Sequence, residues 1–445
     1  MLVIMTISIF LEFAIVIIAL FIGARYNGVG LGIWGGVGLF LLSVLFGVTP
    51  TAPPIDVLLI ILAVVTAASS MEAAGGTDFL VRVAEHIIRA NPRNITVVAP
   101  MVTWLFTFLS GTGHVVYPLQ PVIYETAIVA GIRPERPMAV ATIASQQSVT
   151  ASPVSAATAA MVGLLAAHGF GQWGLAEILM ICVPSTLCGV IVAGIFSLGL
   201  GKNLDEDPEF QARLKAGLIP PIKPVGDRSP LPKKAKHAAM LFLLGVALTV
   251  VSGFYPLLRT LPGTVEPLPM STVLEVFMLV VSAAILVVCR PNVNDIVATP
   301  TMRAGVVAMV GIFGLAWLGD SFVAANKDVI VATFGHMVEM HPWSFAAALF
   351  CVSVLLYSQA ATTRAVMPIG IAMGIPPSLL IGMFPAVNGN FFIPTYGSLV
   401  AAISFDLSGT TKIGKYVLNH SFMIPGMVSV MVSVSMGLLI GSSLT

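Results

Sequence analysis

SGTGH at residues 110–114 and SQAATT at residues 358–363 place small polar residues inside long apolar runs of this 445-residue chain. Glu72 stands 38 residues before Ser110, and Asp320 stands 38 residues before Ser358. Each break is followed by a glycine, Gly131 or Gly374, and then by a proline within an apolar run, Pro153 or Pro394. At membrane depth, irregular polar backbone survives only where it is buried in protein or lines a water-filled cavity. A chain that repeats itself around two such interruptions therefore reads as a secondary transporter.

Composition agrees with that reading. Hydrophobic residues make up 57% of the chain and charged residues 9%, too little polar surface to clothe a soluble globule. Apolar runs at 4–24, 28–48, 54–72, 138–166, 174–200, 238–256, 271–289, 304–320, 378–404 and 419–443 are each suited to crossing a hydrocarbon core of ~30 Å. The runs 95–130 and 343–373, polar at their middles, are expected to be re-entrant hairpins. The predicted fold is an all-α polytopic membrane protein of ten transmembrane helices and two re-entrant hairpins, with two of the spans discontinuous.

Basic residues orient it. With the N-terminus outside, Arg25, Arg82, Arg89, Arg93, Arg133, Arg136, Arg290, Arg303, Lys412 and Lys415 fall in the cytoplasm together with the loop 201–237, and only Arg259 and Lys327 fall outside. Both termini are then periplasmic. The loop 201–237 divides the chain into a first repeat, 1–200, and a second, 238–445. Each has three spans, a hairpin (cytoplasmic-side 95–130, periplasmic-side 343–373), a broken span (138–166, 378–404) and a last span (174–200, 419–443). Five crossings are an odd number, so the second repeat enters the membrane upside down.

The hairpin tips are the first candidate site. Ser110, Gly111, Thr112, Gly113 and His114 offer close backbone approach and the unpaired N–H groups of a helix start, where roughly half a positive charge gathers. Ser358, Gln359, Thr362 and Thr363 form the matching tip. The span after the first hairpin carries Ser145, Gln146, Gln147, Ser148 and Thr150, then Ser152, Pro153 and Ser155. Ser152 before Pro153 predicts a helix restart with Ser152 as its cap. Asn388, Asn390, Pro394, Thr395 and Tyr396 interrupt the equivalent span of the second half. Two tips and two breaks converging on one cavity suit a ligand with two negative groups.

Other charged residues have gating or anion-attracting roles open to them. Arg364 lies within the second hairpin, where charge is costly, and it faces either the cavity or an edge. Glu85 and Arg89, four apart on an amphipathic helix, and Arg133 after the first hairpin either brace that hairpin or draw anions toward the entrance. Glu72 and Asp320 read as caps or hinges. The glycines Gly30, Gly32 and Gly35 spell GxGxxG without a preceding strand and predict close helix packing instead of a nucleotide site. The sequence has no P-loop, HExxH or nucleophile-elbow pattern. No catalytic residues, cofactor, metal or nucleic-acid partner is expected, and no signal peptide is read before the first span.

The runs GTGHVVYPLQPVIYE (111–125), GIRPERPMA (131–139), ASQQSVTASPVSAAT (144–158), LLYSQAATTRAVMP (355–368), FFIPTYGSLVAAI (391–403) and GTTKIGKYVLNHSF (409–422) resemble the Dcu-type anaerobic C4-dicarboxylate exchangers of bacteria, from the first span to the last. The resemblance implies inner-membrane exchange of external fumarate, malate or aspartate for internal succinate. The family stands beside the divalent-anion/sodium symporters, whose dimers move a hairpin-bearing domain against a fixed scaffold. An elevator-type homodimer is thus the expectation. Those relatives hold sodium at Ser-Asn-Thr triplets; the tips here lack Asn, and the resemblance does not bring sodium sites with it. Proton- or sodium-coupled uptake of the same acids is the alternative, an anion channel is a weaker one, and a membrane sensor kinase contacting the basic loop or 406–415 is a further partner the sequence leaves open.

Overall fold

The computed structural model describes residues 2–26, 29–53, 55–219, 230–264, 266–341, 343–356, 358–394, 396–414 and 418–444. Thr395, Lys223, Arg228 and Lys415 lie outside the described residues. The first half comprises α1 (Leu2–Tyr26), α2 (Gly30–Phe46), α3 (Ile55–Ala73), α4 (Gly76–Ala90), α5 (Ile95–Ser110), α6 (Val116–Val129), α7 (Glu135–Gln147), α8 (Ala156–Ala167) and α9 (Leu175–Ser197). A short α10 (Pro208–Lys215) follows. The second half comprises α11 (Ala235–Phe254), α12 (Met270–Cys289), α13 (Val293–Ala298), α14 (Pro300–Met340), α15 (Ser344–Leu356), α16 (Gln359–Ala372), α17 (Pro377–Met383), α18 (Gly397–Phe405) and α19 (Met423–Ser443). Among the described residues the only β-pairing is an isolated bridge between Ile413 and His420.

Among the described residues, five stretches are long and apolar enough to cross a membrane unaided: α9, α11, α12, Pro300–Asn326 of α14, and α19. The shorter apolar helices, among them Gly32–Phe46 and Ser344–Leu356, owe their helicity to packing as well as to propensity. The α3–α4 pair bends by 74°. Past that bend α4 is amphipathic, burying Leu80, Val81, Ala84 and Ile88 along one stripe.

Three boundaries differ from the sequence reading. The span expected at 304–320 is part of a helix of 41 residues. At 1.5 Å per residue such a helix is roughly 60 Å long, about twice a hydrocarbon core. The first broken helix restarts at Ala156 and not at Pro153. Ser155 is the cap, its Oγ accepting from Thr158 N at 3.1 Å, while Ser152 Oγ is spent on the carbonyl of Phe108 at 2.7 Å. The second break is the longer one: α17 ends at Met383, a 3₁₀ segment runs Phe384–Phe391, and regular helix returns only at Gly397.

Packing follows the same scheme in both halves. Helix α2 lies on α14 and α3 on α12; α5 lies on α7 and α15 on the 3₁₀ segment 384–391; α8 meets α16 and α6 meets α18; and α9 pairs with α19. Exchanging the halves maps this set of contacts onto itself. A large core joins α3–α9 to α11, α12 and α15–α17, and a smaller one, with Leu39, Leu42, Leu318 and Phe322, joins α1, α2 and α14.

The GxGxxG stretch lies in the α2–α14 contact. A Cβ on Gly32 would sit 1.9 Å from the Val310 carbonyl oxygen, and one on Gly314 would sit 1.8 Å from that of Gly32. Backbone touches backbone there, as in small-residue helix pairs within membranes.

Candidate functional site

Both hairpin tips and both helix breaks border a single cavity of about 970 Å³. From the first hairpin come Ser110–His114, and from the first broken helix come Gln146, Val149, Val154, Ala156 and Ala157. Ser358–Ala361 of the second hairpin and Tyr396 and Gly397 of the second broken helix join them. The rest of the lining is Val64, Val65 and Ala68 of α3, Arg25 of α1, Leu356 of α15, and a run of α14 that includes Thr301, Arg303 and Gly305.

The helix starts explain the chemistry of the cavity. Gly113 and His114 open the turn leading into α6, Ala156 and Ala157 open α8, Gln359 and Ala360 open α16, and Gly397 opens α18. Four helix N-termini thus border one space. Each carries roughly +0.5 charge and unpaired N–H groups, the arrangement that binds carboxylate and phosphate. Side-chain caps fix three of these starts: Thr112 accepts from His114 N at 3.3 Å, Ser155 from Thr158 N, and Ser358 from Ala361 N at 3.2 Å.

Gly111 holds the first tip in place. It ends α5 in the left-handed region at φ +75°, and a Cβ there would lie 2.5 Å from the Val154 carbonyl oxygen. Gly111→Val is expected to lower stability by at least ~1–2 kcal/mol from backbone strain alone, with the steric clash in addition. It should also abolish flux in reconstituted vesicles. Wild-type flux and melting temperature in this variant would show that the tip does not seat on the break.

The two breaks are tied to each other, partly through residues of the lining itself. Gln146 Oε1 accepts from Gln359 Nε2 at 2.9 Å and from Asn390 Nδ2 at 3.1 Å, and Gln147 Oε1 accepts from Asn388 Nδ2 at 3.1 Å. All five side chains are buried. Each hairpin is also tied to its own break: Ser148 Oγ donates to Trp104 O at 2.6 Å, and Gly389 N donates to Ser353 Oγ at 2.8 Å.

Not every residue singled out from sequence reaches the cavity. Ser110, Gly111, Thr112, Gly113, His114, Ser358, Gln359 and Tyr396 line it. Ser152, Pro153, Ser155, Asn388 and Asn390 stand one layer behind. Thr362 and Thr363 turn their hydroxyls back onto the Ser358 and Gln359 carbonyls at 2.9 and 2.7 Å. Arg364 is buried in α16, outside the lining, and Asp320 of α14 is the carboxylate whose charge acts on it.

Glu85, Arg89 and Arg133 also lie away from the cavity. Arg89 pairs with Glu125 of α6 at 2.9 Å, joining α4 to the hairpin. Arg133 is almost completely buried, bound to Glu135 at 2.6 Å and to Asp207. Glu72 accepts from Thr301 N at 3.2 Å, capping the first turn of α14. Gln146, Arg25 and Arg303 are lining residues not singled out from sequence as site residues. The signal for Gln146 was its polar pair with Gln147 in an apolar run, whereas the two arginines were indistinguishable from topological anchors.

Residues 8–445 match the family model described as the anaerobic C4-dicarboxylate membrane transporter family. The chain belongs to that family. The anaerobic C4-dicarboxylate transporter DcuB of Escherichia coli is 40% identical over 436 residues, covering 96% of this chain and 97% of the relative. The C4-dicarboxylate transporter DcuA of Wolinella succinogenes is 37% identical over 431 residues, covering 96% and 98%. The family consists of membrane transporters and not enzymes. Two solved structures share the fold at 14% identity. The Alcanivorax borkumensis YdaH transporter has a TM-score of 0.59 over 91% of this chain and 88% of that one. Neisseria gonorrhoeae MtrF, of a class of antimetabolite efflux pumps, has a TM-score of 0.58 over 91% and 84%.

Proposed function

We infer that this member of the anaerobic C4-dicarboxylate transporter family is an exchanger, taking fumarate, malate or aspartate in and letting succinate out across the bacterial inner membrane. The observation that carries the reading is the meeting of four helix N-termini at one cavity, a field suited to two carboxylates. The self-mapping set of helix contacts supports two oppositely inserted repeats of five spans and a hairpin, ten spans in all, with both termini periplasmic. The basic residues favour that orientation.

In this reading a dianion sits between the tips, the hairpin-bearing helices shift as a body against α1, α2 and α14, and a second dianion returns them. The assembly is an elevator-type homodimer embedded in lipid. Exchange of fumarate or malate for succinate swaps equal charges and needs no coupling ion.

Purified protein in liposomes loaded with fumarate should take up labelled succinate by counterflow, and empty liposomes should not. Uptake indifferent to internal substrate overturns exchange. Accumulation driven by an imposed proton or sodium gradient, without internal substrate, would establish coupled uptake in its place.

A further inference from the structure

The tips account for one end of the cavity's chemistry, while Arg25 and Arg303 supply charge from helices that carry no tip. Arg25 stands in the last turn of α1 and Arg303 in the first turn of α14. Both are exposed, both line the cavity together with Thr112, His114, Ser358 and Gln359, and among the described residues neither guanidinium has an ion-pair or hydrogen-bond partner. The Glu72 carboxylate at the same end of α14 is taken up by the Thr301 N–H and pairs with neither arginine. A structural arginine is normally committed to a carboxylate or carbonyl, as Arg133 is. These two are free of such partners in the lining of an anion-suited cavity.

We propose that Arg25 and Arg303 form an anion-collecting site that selects dianions over monoanions, which rests on the dicarboxylate reading of the same cavity. The physics is charge counting. In a cleft the fields of two like charges add and are focused by the low-dielectric walls. The work done on a ligand scales with its charge, so a contribution that multiplies monoanion affinity by some factor multiplies dianion affinity by about the square of that factor. Helix dipoles fade within a turn and act near the tips, whereas full guanidinium charges act over the Debye length, about 8 Å at physiological salt. The cavity is large for a four-carbon diacid, and a second electropositive region keeps the doubly charged ligand within it.

The test is equilibrium binding of labelled succinate to the purified full-length protein, with monomethyl succinate as competitor, at low and at physiological ionic strength. In the Arg25→Gln/Arg303→Gln double variant, succinate affinity at low salt is expected to fall about tenfold and monomethyl succinate affinity about threefold. Raising the salt should shrink both effects. The Arg25→Lys/Arg303→Lys variant keeps the charge and should stay within about twofold of wild type. Unchanged affinities in the glutamine variant, or equal losses for both ligands without salt dependence, overturn the proposal while leaving the dicarboxylate reading intact. A lysine variant as impaired as the glutamine one also overturns it, because the guanidinium shape and not its charge would then matter. Wild-type protein that binds neither ligand sinks the dicarboxylate reading, and this inference with it.

Discussion

Arg133→Ala is expected to cost about 3–5 kcal/mol of stability, the range seen when one partner of a buried charge pair is removed. Arg133 leaves the first hairpin and ends among Glu135, Asp207 and the Lys202 carbonyl, with 8% of its side chain exposed. Glu135 in turn accepts from Ser421 Oγ at 2.6 Å, and its backbone N–H donates to Thr410 Oγ1 at 3.1 Å. Asp207 caps α10 by accepting from Glu209 N at 3.0 Å. One guanidinium therefore holds the hairpin exit, α10 and the loop before α19 together. Its removal leaves two half-buried carboxylates without their counter-charge. Arg133→Lys should fall between wild type and alanine, because an ammonium cannot serve both carboxylates with a planar fork. Unfolding in detergent would measure this. A loss below about 1 kcal/mol would place the cluster with ordinary surface pairs.

The same cluster predicts a pH dependence. Burial alone would raise the Asp207 pKa, but the hydrogen bond and charge of Arg133 and the N–H groups of Glu209 and Phe210 hold it below the ordinary carboxylate value. A carboxylate with a lower pKa folded than unfolded contributes its full stabilisation above the unfolded value of about 3.9 and loses it as the pH falls through the folded value. Wild-type stability should therefore drop on acidification below pH ~4, and Asp207→Asn should flatten that part of the curve.

Gln146→Leu should reduce exchange by at least an order of magnitude and lower stability by about 1–3 kcal/mol for each donor it leaves unsatisfied. Gln359 Nε2 and Asn390 Nδ2 both donate to its Oε1, and both side chains are buried. Gln146→Glu separates the two roles of this residue. It keeps the acceptor and the tie between the halves, yet adds a negative charge to the lining. At a separation of about 4 Å and an effective dielectric constant of ~20, two unit charges interact by about 4 kcal/mol, so dianion binding should weaken at least tenfold. If leucine and glutamate variants both exchange at wild-type rates, the bridge is not needed for function.

Much of this was legible in sequence because the membrane makes polarity conspicuous. SGTGH and SQAATT stand out in apolar runs, and their backbone needs a cavity. What stayed hidden depends on neighbours. Ser152 before Pro153 has the local chemistry of a cap, but the Phe108 carbonyl takes its hydroxyl and Ser155 caps α8 instead. Thr362 and Thr363 follow a tip, yet helical geometry returns both hydroxyls to carbonyls four residues back. The reach of α14 past Asp320 was hidden because the apolar run ends there, while the helix continues to Met340. The bridge from Gln146 to Gln359 spans 213 residues of sequence, and no local pattern announces it.

The contact between Gly32 and Gly314 limits where the molecule can move. Two helices touching through main-chain atoms have no side chains to re-seat, and sliding one along the other by a turn, 5.4 Å, would drive the flanking bulk of Val310 and Leu315 into the neighbouring ridge. That seam behaves like a weld, and α2 must travel or rest with α14. Any stroke has to be absorbed at surfaces built from rotatable groups, chiefly the α14–α16 boundary, across which the charges of Asp320 and Arg364 act on each other.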